Sequence, residues 1–270
     1  MRLVRLFLAF VVLLVLGWSS GASAVPVNNP ITAGLVAAYE FSGNADDVSG
    51  NGNDGVVNGA TPTADRFGNA NSAYSFDGVD DYIISSTTFS PQASGAISLW
   101  FNQESESSVI GNTIFVSSLS SAIYTDGSFT IAHNPTSNEP SVAYWGNGAN
   151  WFYAEGHTID EITFPIDSTW HHLLWMWDTP SGSTLYVDNQ IVGGAGIGPP
   201  IFGGDPIKIG NANTYWFHDG LIDDVYVYDR ALSASEVQTL YSAVPEPTTA
   251  LLLGLGLVGL GLQRRGWAVR

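Results

Sequence analysis

Residues 220–241 read GLIDDVYVYDRALSASEVQTLY, and the residue pattern changes once within this stretch. Its first half mixes polar and bulky apolar residues in the way typical of a strand, whose successive side chains point to opposite faces. One predicted face holds Ile222, Asp224, Tyr226 and Tyr228, and the other holds Asp223, Val225 and Val227. Because bulky groups fall on both faces, we expect a strand that is covered on both sides of its sheet.

The second half of the stretch predicts a short helix. Ser233 is suited to cap the N-terminus, and Glu236, three residues later, can bond back to the backbone N–H of the cap. Val237, Leu240 and Tyr241 then recur at helical spacing and form one apolar stripe. We expect this stripe to pack against the sheet that the preceding strand joins.

The text between 35 and 230 consists of short runs rich in β-branched and aromatic residues, such as DYIIS, AISLWFN and STLYVDNQIV. Gly, Asn, Asp, Ser and Pro separate the runs at intervals of roughly ten residues, a spacing typical of an all-β sandwich or barrel. The chain has no cysteine, which excludes disulfides and thiolate chemistry.

A second distinctive stretch, residues 34–83, reads GLVAAYEFSGNADDVSGNGNDGVVNGATPTADRFGNANSAYSFDGVDDYI. Together with residues 220–241, WHHLLWMWD at 170–178 and STLYVDNQIVG at 183–193, it resembles the laminin-G-like, concanavalin A-like jelly-roll domains of secreted bacterial proteins. The resemblance implies an all-β, two-sheet antiparallel jelly-roll sandwich. It also implies that the first and last strands lie side by side, with one short helix after the last strand.

The loop FSGNADDVSGNGNDG, residues 41–55, offers many oxygen ligands on a glycine-rich backbone, as calcium prefers. Relatives of the resembling fold often hold a structural calcium beside the last strand. The resemblance therefore implies Ca²⁺ ligands among Asn44, Asp47, Asp223 and Asp224. Neighbouring carboxylates in a strand point apart, so we expect at most one of Asp223 and Asp224 to face an ion. The same composition also suits an ordinary polar loop without an ion.

Two further carboxylate or histidine pairs have structural interpretations. FDGVDDY, residues 76–82, carries the turn dipeptide Asp77-Gly78 and is interpreted as a hairpin turn rather than a second ion site. His171-His172 opens a core strand in the resembling family, and neighbouring strand residues face opposite ways, so zinc binding is not expected there.

The sequence does not predict an enzyme. Jelly-roll glycoside hydrolases typically carry Glu-x-Asp-x-x-Glu on one strand, so that two carboxylates face the cleft, and that pattern is absent. Asp160-Glu161, the nearest pair in mid-chain, would point apart in a strand. A polysaccharide-degrading enzyme is therefore the least favoured function.

Aromatic residues give a hint of carbohydrate binding. YWGNGANWFY at 144–153 and GNANTYWFHDG at 210–220 mix Tyr and Trp with Asn and Gly, and sugar rings pack on aromatic faces. Trp151 and Trp216 are the expected ligand contacts, although a large sandwich core also uses most of its tryptophans.

The charge of the chain disfavours nucleic acid as a partner. Between the two terminal segments the only basic residues are Arg66, Lys208 and Arg230, against 24 Asp and Glu, a formal net charge of −21. Such a surface repels phosphate backbones and attracts divalent cations.

The N-terminus has the form of a secretory signal peptide. Arg2 and Arg5 precede an apolar run over residues 6–17, and Ala22-Ser23-Ala24 provides a small-residue cleavage site. We expect residues 1–24 to be removed on export.

The C-terminal tail is too short to be a stable membrane anchor. Residues 250–262 are an uninterrupted apolar run of 13 residues, against the ~18 expected of a spanning helix. As a helix the run would cover about 20 Å of a hydrocarbon layer of about 30 Å. It can therefore insert transiently, with Arg264 and Arg265 on the cytoplasmic side.

Val244-Pro245-Glu246-Pro247, the apolar run and Arg264-Arg265 together resemble the PEP-CTERM sorting signal of Gram-negative bacteria. The resemblance implies processing by an exosortase, followed by release or attachment at the cell surface, in proteins associated with exopolysaccharide and biofilm. We therefore divide the chain into a signal peptide at 1–24, a laminin-G-like jelly-roll domain at 25–243 and a sorting signal at 244–270. Within the sorting signal, the motif is 244–247, the hydrophobic helix 248–263 and the basic end 264–270.

The function predicted from the sequence is that of an exported, non-enzymatic module that binds carbohydrate or matrix at the cell surface. The alternative is a structural or adhesive biofilm-matrix protein without a defined ligand.

Overall fold

The computed structural model describes residues 29–88, 93–104, 113–117, 128–134, 139–145, 167–178, 182–195, 206–211 and 217–243. Two antiparallel sheets face each other across an apolar core, and one helix follows the last strand. The predicted all-β, two-sheet jelly-roll sandwich is confirmed.

The larger sheet has eight strands: β1 (Leu35–Tyr39), β3 (Thr61–Thr63), β4 (Ala73–Asp77), β6 (Ser94–Gln103), β10 (His171–Asp178), β11 (Gly182–Val187), β12 (Gln190–Ala195) and β14 (Asp219–Tyr228). Their order is β12-β11-β10-β6-β14-β4-β3. Beside β14, β4 pairs with its first half and β1 with its second half. The first and last strands are therefore neighbours, as predicted.

The smaller sheet has six strands: β2 (Gly55–Asn58), β5 (Tyr82–Thr88), β7 (Thr113–Ser117), β8 (Ser128–Asn134), β9 (Glu139–Trp145) and β13 (Pro206–Ile209). Their order is β2-β5-β13-β7-β8-β9. The inner side chains of β5 and β13 belong to the core, as Ile83, Ile207 and Ile209 are at most 2% exposed.

The residues 76–82 do not form the predicted hairpin. β4 ends at Asp77 in the larger sheet and β5 begins at Tyr82 in the smaller sheet, so the turn crosses between sheets. Gly78 adopts φ +73°, as expected of a turn glycine, but the strands on either side pair with other partners. The turn dipeptide was identified correctly, and the pairing inferred from it was wrong.

The strict alternation predicted along β14 is broken in its middle. The pairing with β6 shifts between Asp223 and Tyr226, and Asp224 has φ +47°. As a result Ile222, Val225 and Val227 pack together between the sheets, whereas Tyr226 and Tyr228 pack on the outer face of the larger sheet. A β-bulge, whose extra residue bends the strand, accounts for the change of face.

The helix α1 (Ala234–Ser242) covers that outer face. Ser233 and Glu236 form the predicted capping box, and Val237 and Leu240 are buried. Arg230 donates to both carboxylate oxygens of Glu236, at 3.0 and 2.6 Å. This bond and the N–H of Ser233 lower the pKa of Glu236 to about 2. Among the described residues no helix is long and apolar enough to cross a membrane.

Candidate functional site

A buried ion cluster joins the loop before β4 to the bulge of β14. Arg66 Nη1 lies 3.0 Å from Asp223 Oδ2 and 2.7 Å from Asp224 Oδ2. The three side chains are 6%, 2% and 3% exposed. A charge-assisted pair that is this well shielded is costly to break, because either partner alone would be left charged and buried.

The loop that carries Arg66 is shaped by a neighbouring carboxylate. Asp65 Oδ1 accepts the backbone N–H groups of Phe67 and Asn69, both at 2.8 Å. An Asp that bonds to backbone N–H groups two and four residues ahead of it closes a tight turn. The turn holds Arg66 beneath the end of α1.

Aromatic rings enclose the guanidinium. Its carbon lies 4.4 Å from the ring centroid of Trp100 and 4.5 Å from that of Phe67, within the range of cation–π contacts. Trp100 in turn stacks on Tyr241 of α1, with centroids 5.9 Å apart and planes 12° from parallel. Arg66 Nη2 also donates to the carbonyl of Ala243 at 3.4 Å. The cluster therefore ties the helix end to the sheet.

The prediction that Asp223 and Asp224 point to opposite faces is wrong. In regular strand geometry they would diverge, but the left-handed backbone at Asp224 turns both carboxylates towards one guanidinium. Burial raises the pKa of the Asp223 carboxyl well above its ordinary value; the charge of Asp224 adds to the shift, and Arg66 opposes it.

His172 lies beside this cluster and is fully buried. Its Nε2 is 2.8 Å from Ser98 Oγ, and its ring packs 5.2 Å from that of Trp100. Burial, with a smaller contribution from the Arg66 charge, lowers the pKa of His172 to about 3. The side chain is therefore a neutral packing group.

His171 points to the other side of the strand, as predicted. Its Nδ1 lies 2.7 Å from Asp188 Oδ2, and Asp188 Oδ1 accepts the backbone N–H of His172 at 2.9 Å. On the other side of the ring, Nε2 lies 2.8 Å from Thr169 Oγ1 and 3.2 Å from Asp167 Oδ1, both just before β10. These bonds fix the β11–β12 turn to β10, which agrees with the structural interpretation of the His-His pair.

Asp47 organises the first loop. Its Oδ1 accepts the N–H groups of Ala38 and Ser49, both at 2.9 Å. Its Oδ2 accepts Ser49 Oγ at 2.8 Å and the N–H of Asn53 at 2.9 Å. Four protein donors thus occupy the carboxylate. Asn44 is exposed and bonds locally, donating to Asp46 Oδ2 at 2.6 Å.

The four predicted calcium ligands do not fit one calcium site in this arrangement. Arg66 already supplies the positive charge between Asp223 and Asp224, and N–H and O–H donors fill the oxygens of Asp47. Within the described ranges, one group of three or more Asp, Glu, His or Cys side chains has oxygen, nitrogen or sulfur atoms all within 4.8 Å of one another, namely Asp77, Asp80 and Asp81 at the turn between the sheets. Calcium binding stays a prediction.

The remaining predicted site residues lie outside the described residues: Trp151, Trp216, Val244, Pro245, Glu246, Pro247, Arg264 and Arg265. The base of the loop that contains Trp216 is described, because Asn211 and Phe217 form a β-bridge across it. Sequence reasoning missed Arg66. Its signal was the scarcity of basic residues in the body, since a buried carboxylate pair there has few cations to choose from.

Solved structures with the same fold include a domain of an arabinanase, a mutant of HCR/D and a sialidase. Domain 4 of AbnA, an extracellular arabinanase from Geobacillus stearothermophilus solved with arabinotriose, matches with a TM-score of 0.63 and 18% identity, over 78% of this chain and 99% of that domain. A mutant of HCR/D matches with a TM-score of 0.58 and 13% identity, over 79% of this chain and 52% of the HCR/D chain.

The sialidase of Trypanosoma rangeli, solved with the inhibitor DANA, matches with a TM-score of 0.55 and 16% identity, over 80% of this chain. The match spans 35% of the sialidase, so most of that enzyme has no counterpart here. A search of curated proteins found no match.

Two family models match the chain. The PEP-CTERM protein-sorting motif covers residues 243–265, which marks the chain as an exosortase substrate sorted to the cell surface or the exterior. The model of the concanavalin A-like lectin/glucanases superfamily covers residues 76–238, more than half of the chain. The protein is therefore a member of the concanavalin A-like lectin/glucanases superfamily.

Proposed function

We propose that the mature protein is a non-enzymatic module that binds carbohydrate or matrix material at the surface of a Gram-negative cell. In the precursor, the apolar run at 250–262 inserts into the membrane until the exosortase has acted. We assign this binding to the sandwich domain that lies between the two terminal signals.

The observation that carries the proposal is the extent of the match to AbnA domain 4. That domain is covered over 99% of its length, whereas the sialidase is covered over 35%. The fold of this chain thus resembles that of one complete domain of an arabinanase, which supports the proposal. The arabinanase domain was solved with arabinotriose, which supports a glycan as the ligand class for this chain.

Three carboxylates that the sequence singled out are used by the fold, which supports a role for them other than catalysis. Asp223 and Asp224 are bound to Arg66 in the protein interior, and Asp47 is filled by protein donors. A glycosidase needs two carboxyl groups on either side of a substrate bond, about 5–10 Å apart and open to it. These three carboxylates are committed to holding the fold.

The test uses the exported, processed protein and a panel of insoluble and soluble polysaccharides. We expect it to co-sediment with, or be retarded by, at least one polysaccharide, without any increase in reducing ends. New reducing ends that disappear when a single carboxylate is replaced would show that the protein is an enzyme. Absence of binding throughout the panel would favour the structural matrix role instead.

A further inference from the structure

Lys208 differs from the other two basic residues of the sandwich. Arg66 is bound to Asp223 and Asp224, and Arg230 to Glu236. Lys208 has no carboxylate partner among the described residues, although the body carries a formal net charge of −21. A lysine without a carboxylate partner among the described residues has a charge that a ligand could use.

The side chain of Lys208 lies on the outer face of the smaller sheet. Its neighbours in β13, Ile207 and Ile209, are buried in the core, so Lys208 points the opposite way. The strand register aligns Val56, Ile84 and Lys208 in one row across β2, β5 and β13. Asn58 and Tyr82 form the next row. We call these five residues, Val56, Asn58, Tyr82, Ile84 and Lys208, the Lys208 face.

The Lys208 face combines one cation with an aromatic ring and apolar surface. Lys208 Nζ lies 5.5 Å from the ring centroid of Tyr82, and Val56 is 54% exposed. None of the five residues is acidic. The ammonium group is half-buried, and this burial lowers the pKa of Lys208. Partial loss of water without a carboxylate is unfavourable for a cation, and a bound anion would offset that cost.

We propose that the Lys208 face binds a polysaccharide whose sugars carry carboxylates, that is, uronic acids. The Lys208 ammonium donates to a sugar carboxylate, the Tyr82 ring packs against a sugar ring, and the Asn58 amide is available to a hydroxyl. This inference rests on the proposed function and names the ligand class and the surface.

The acidity of the rest of the chain does not prevent such contact. Charges separated by more than about 8–10 Å are largely screened at physiological ionic strength, whereas a contact at hydrogen-bond distance is not. An ammonium that is already partly shielded from water interacts more strongly with an anion than one in bulk solvent.

The experiment measures the affinity of the processed protein for polygalacturonate and for the same polymer with its carboxyl groups reduced to alcohols. The two polymers share backbone and length and differ at C6, where a neutral hydroxymethyl group replaces the carboxylate. We expect binding of the acidic polymer, and binding at least about ten-fold weaker to the reduced polymer. Lys208→Gln should weaken binding of the acidic polymer roughly 10- to 100-fold, the range expected for one hydrogen bond to a charged group.

Arg230→Gln is the matched control, because it changes the net charge by the same amount but lies beside α1, where the arginine serves Glu236. It should leave affinity within about two-fold. Tyr82→Ala, which removes the ring and keeps the Lys208 charge, should lower the affinity for both polymers about ten-fold. If Lys208→Gln melts more than about 5 °C below the native protein, the binding measurement is made on Lys208→Met instead. That variant keeps an apolar stem of similar length and still lacks the charge.

Each result separates the two proposals. Equal binding of both polymers, unaffected by Lys208→Gln, would overturn the role of Lys208 and leave carbohydrate binding intact. Equal losses in Lys208→Gln and Arg230→Gln would show a general charge effect and would also overturn it. Absence of binding to both polymers, with binding to a neutral member of the polysaccharide panel, would overturn the role of Lys208 alone, and absence of binding throughout the panel would overturn both proposals.

Discussion

The outer faces of the two sheets use their charges differently. On the larger sheet, Arg66 is buried against Asp223 and Asp224 and enclosed by aromatic rings beneath α1. On the smaller sheet, Lys208 is half-buried and faces outward without a carboxylate partner among the described residues. We infer from this difference that one charged residue of the sandwich serves the fold and another is available to a ligand. Burial and partners distinguish the two cases better than residue type does.

Removal of Arg66 should cause the largest loss of stability. Arg66→Met keeps most of the apolar stem but leaves Asp223 and Asp224 buried without their cation. We expect a loss of about 3–5 kcal/mol in the free energy of unfolding, measured by urea denaturation. Because the three side chains act as a unit, adding Asp223→Asn and Asp224→Asn to Arg66→Met should recover part of the loss.

A loss below about 1 kcal/mol for Arg66→Met would contradict this assignment. Such a result would mean that, without Arg66, the two carboxylates become hydrated or protonated with little loss of free energy, as exposed carboxylates do.

Acid should destabilise the protein through its buried histidines. The pKa of His172 is lowered to about 3 in the folded protein, against about 6.5 when unfolded. Between these values the unfolded chain binds a proton that the folded protein excludes, so stability falls as the pH is lowered below about 6.5. His218, whose burial lowers its pKa to about 4, acts in the same direction. The slope should approach about 1.4 kcal/mol per pH unit for each histidine.

His172→Gln isolates the contribution of His172 to the pH dependence of stability. The Gln amide can still bond to Ser98 but does not titrate in this range. Urea denaturation between pH 6.5 and 5 should show a smaller pH slope for the variant. Asp223, whose raised pKa acts in the opposite direction, is common to both proteins. Identical slopes would refute the assignment of His172 as a buried neutral group.

The helix cap should have an intermediate effect. Ser233→Ala removes the hydroxyl that accepts the N–H of Glu236, which should cost about 1 kcal/mol in the free energy of unfolding. Ser242→Ala, at the other end of α1, removes a hydroxyl that accepts an exposed bond from the Gln238 amide at 2.7 Å but caps no backbone group, and is the control. Equal effects of the two substitutions would show that the cap is not stabilising.

The smallest effect on stability is expected at Lys208. Lys208→Gln removes a half-buried charge without breaking an ion pair among the described residues, so the free energy of unfolding should change by less than about 0.5 kcal/mol. Arg230→Gln breaks a partly exposed pair and should cost up to about 1 kcal/mol. If Lys208→Gln destabilised the protein as much as Arg66→Met, the contrast between the two faces would be lost.

The sequence predicted the regular parts of the fold well. Alternating strands, the capping box of Ser233 and Glu236, and the pairing of the first and last strands follow from local patterns and from the family resemblance. The bulge in β14 could not be predicted, because Asp adopts the left-handed region only where the surroundings favour it. Without the bulge, Asp223 and Asp224 could not be placed on one guanidinium.

Partners that are distant in sequence were also beyond prediction. Arg66 lies 157 residues from Asp223, and no local pattern connects them. That Lys208 has no carboxylate partner among the described residues could not be predicted either. It depends on where carboxylates distant in sequence lie in the folded protein. The turn at 76–82 was predicted, but the choice between a hairpin and a crossing between sheets is made by the strands on either side.

The contrast between the two faces is tested most directly by the shift in melting temperature that polygalacturonate causes in native protein, Lys208→Gln and Arg66→Met. A ligand that binds only the folded state raises the melting temperature. We expect a rise in native protein and in Arg66→Met, which starts from a lower melting temperature. At the same polymer concentration we expect a clearly smaller rise in Lys208→Gln, which starts near the native value and binds more weakly. A full rise in Lys208→Gln, or its loss in Arg66→Met, would contradict the assignment of one face to the fold and the other to the ligand.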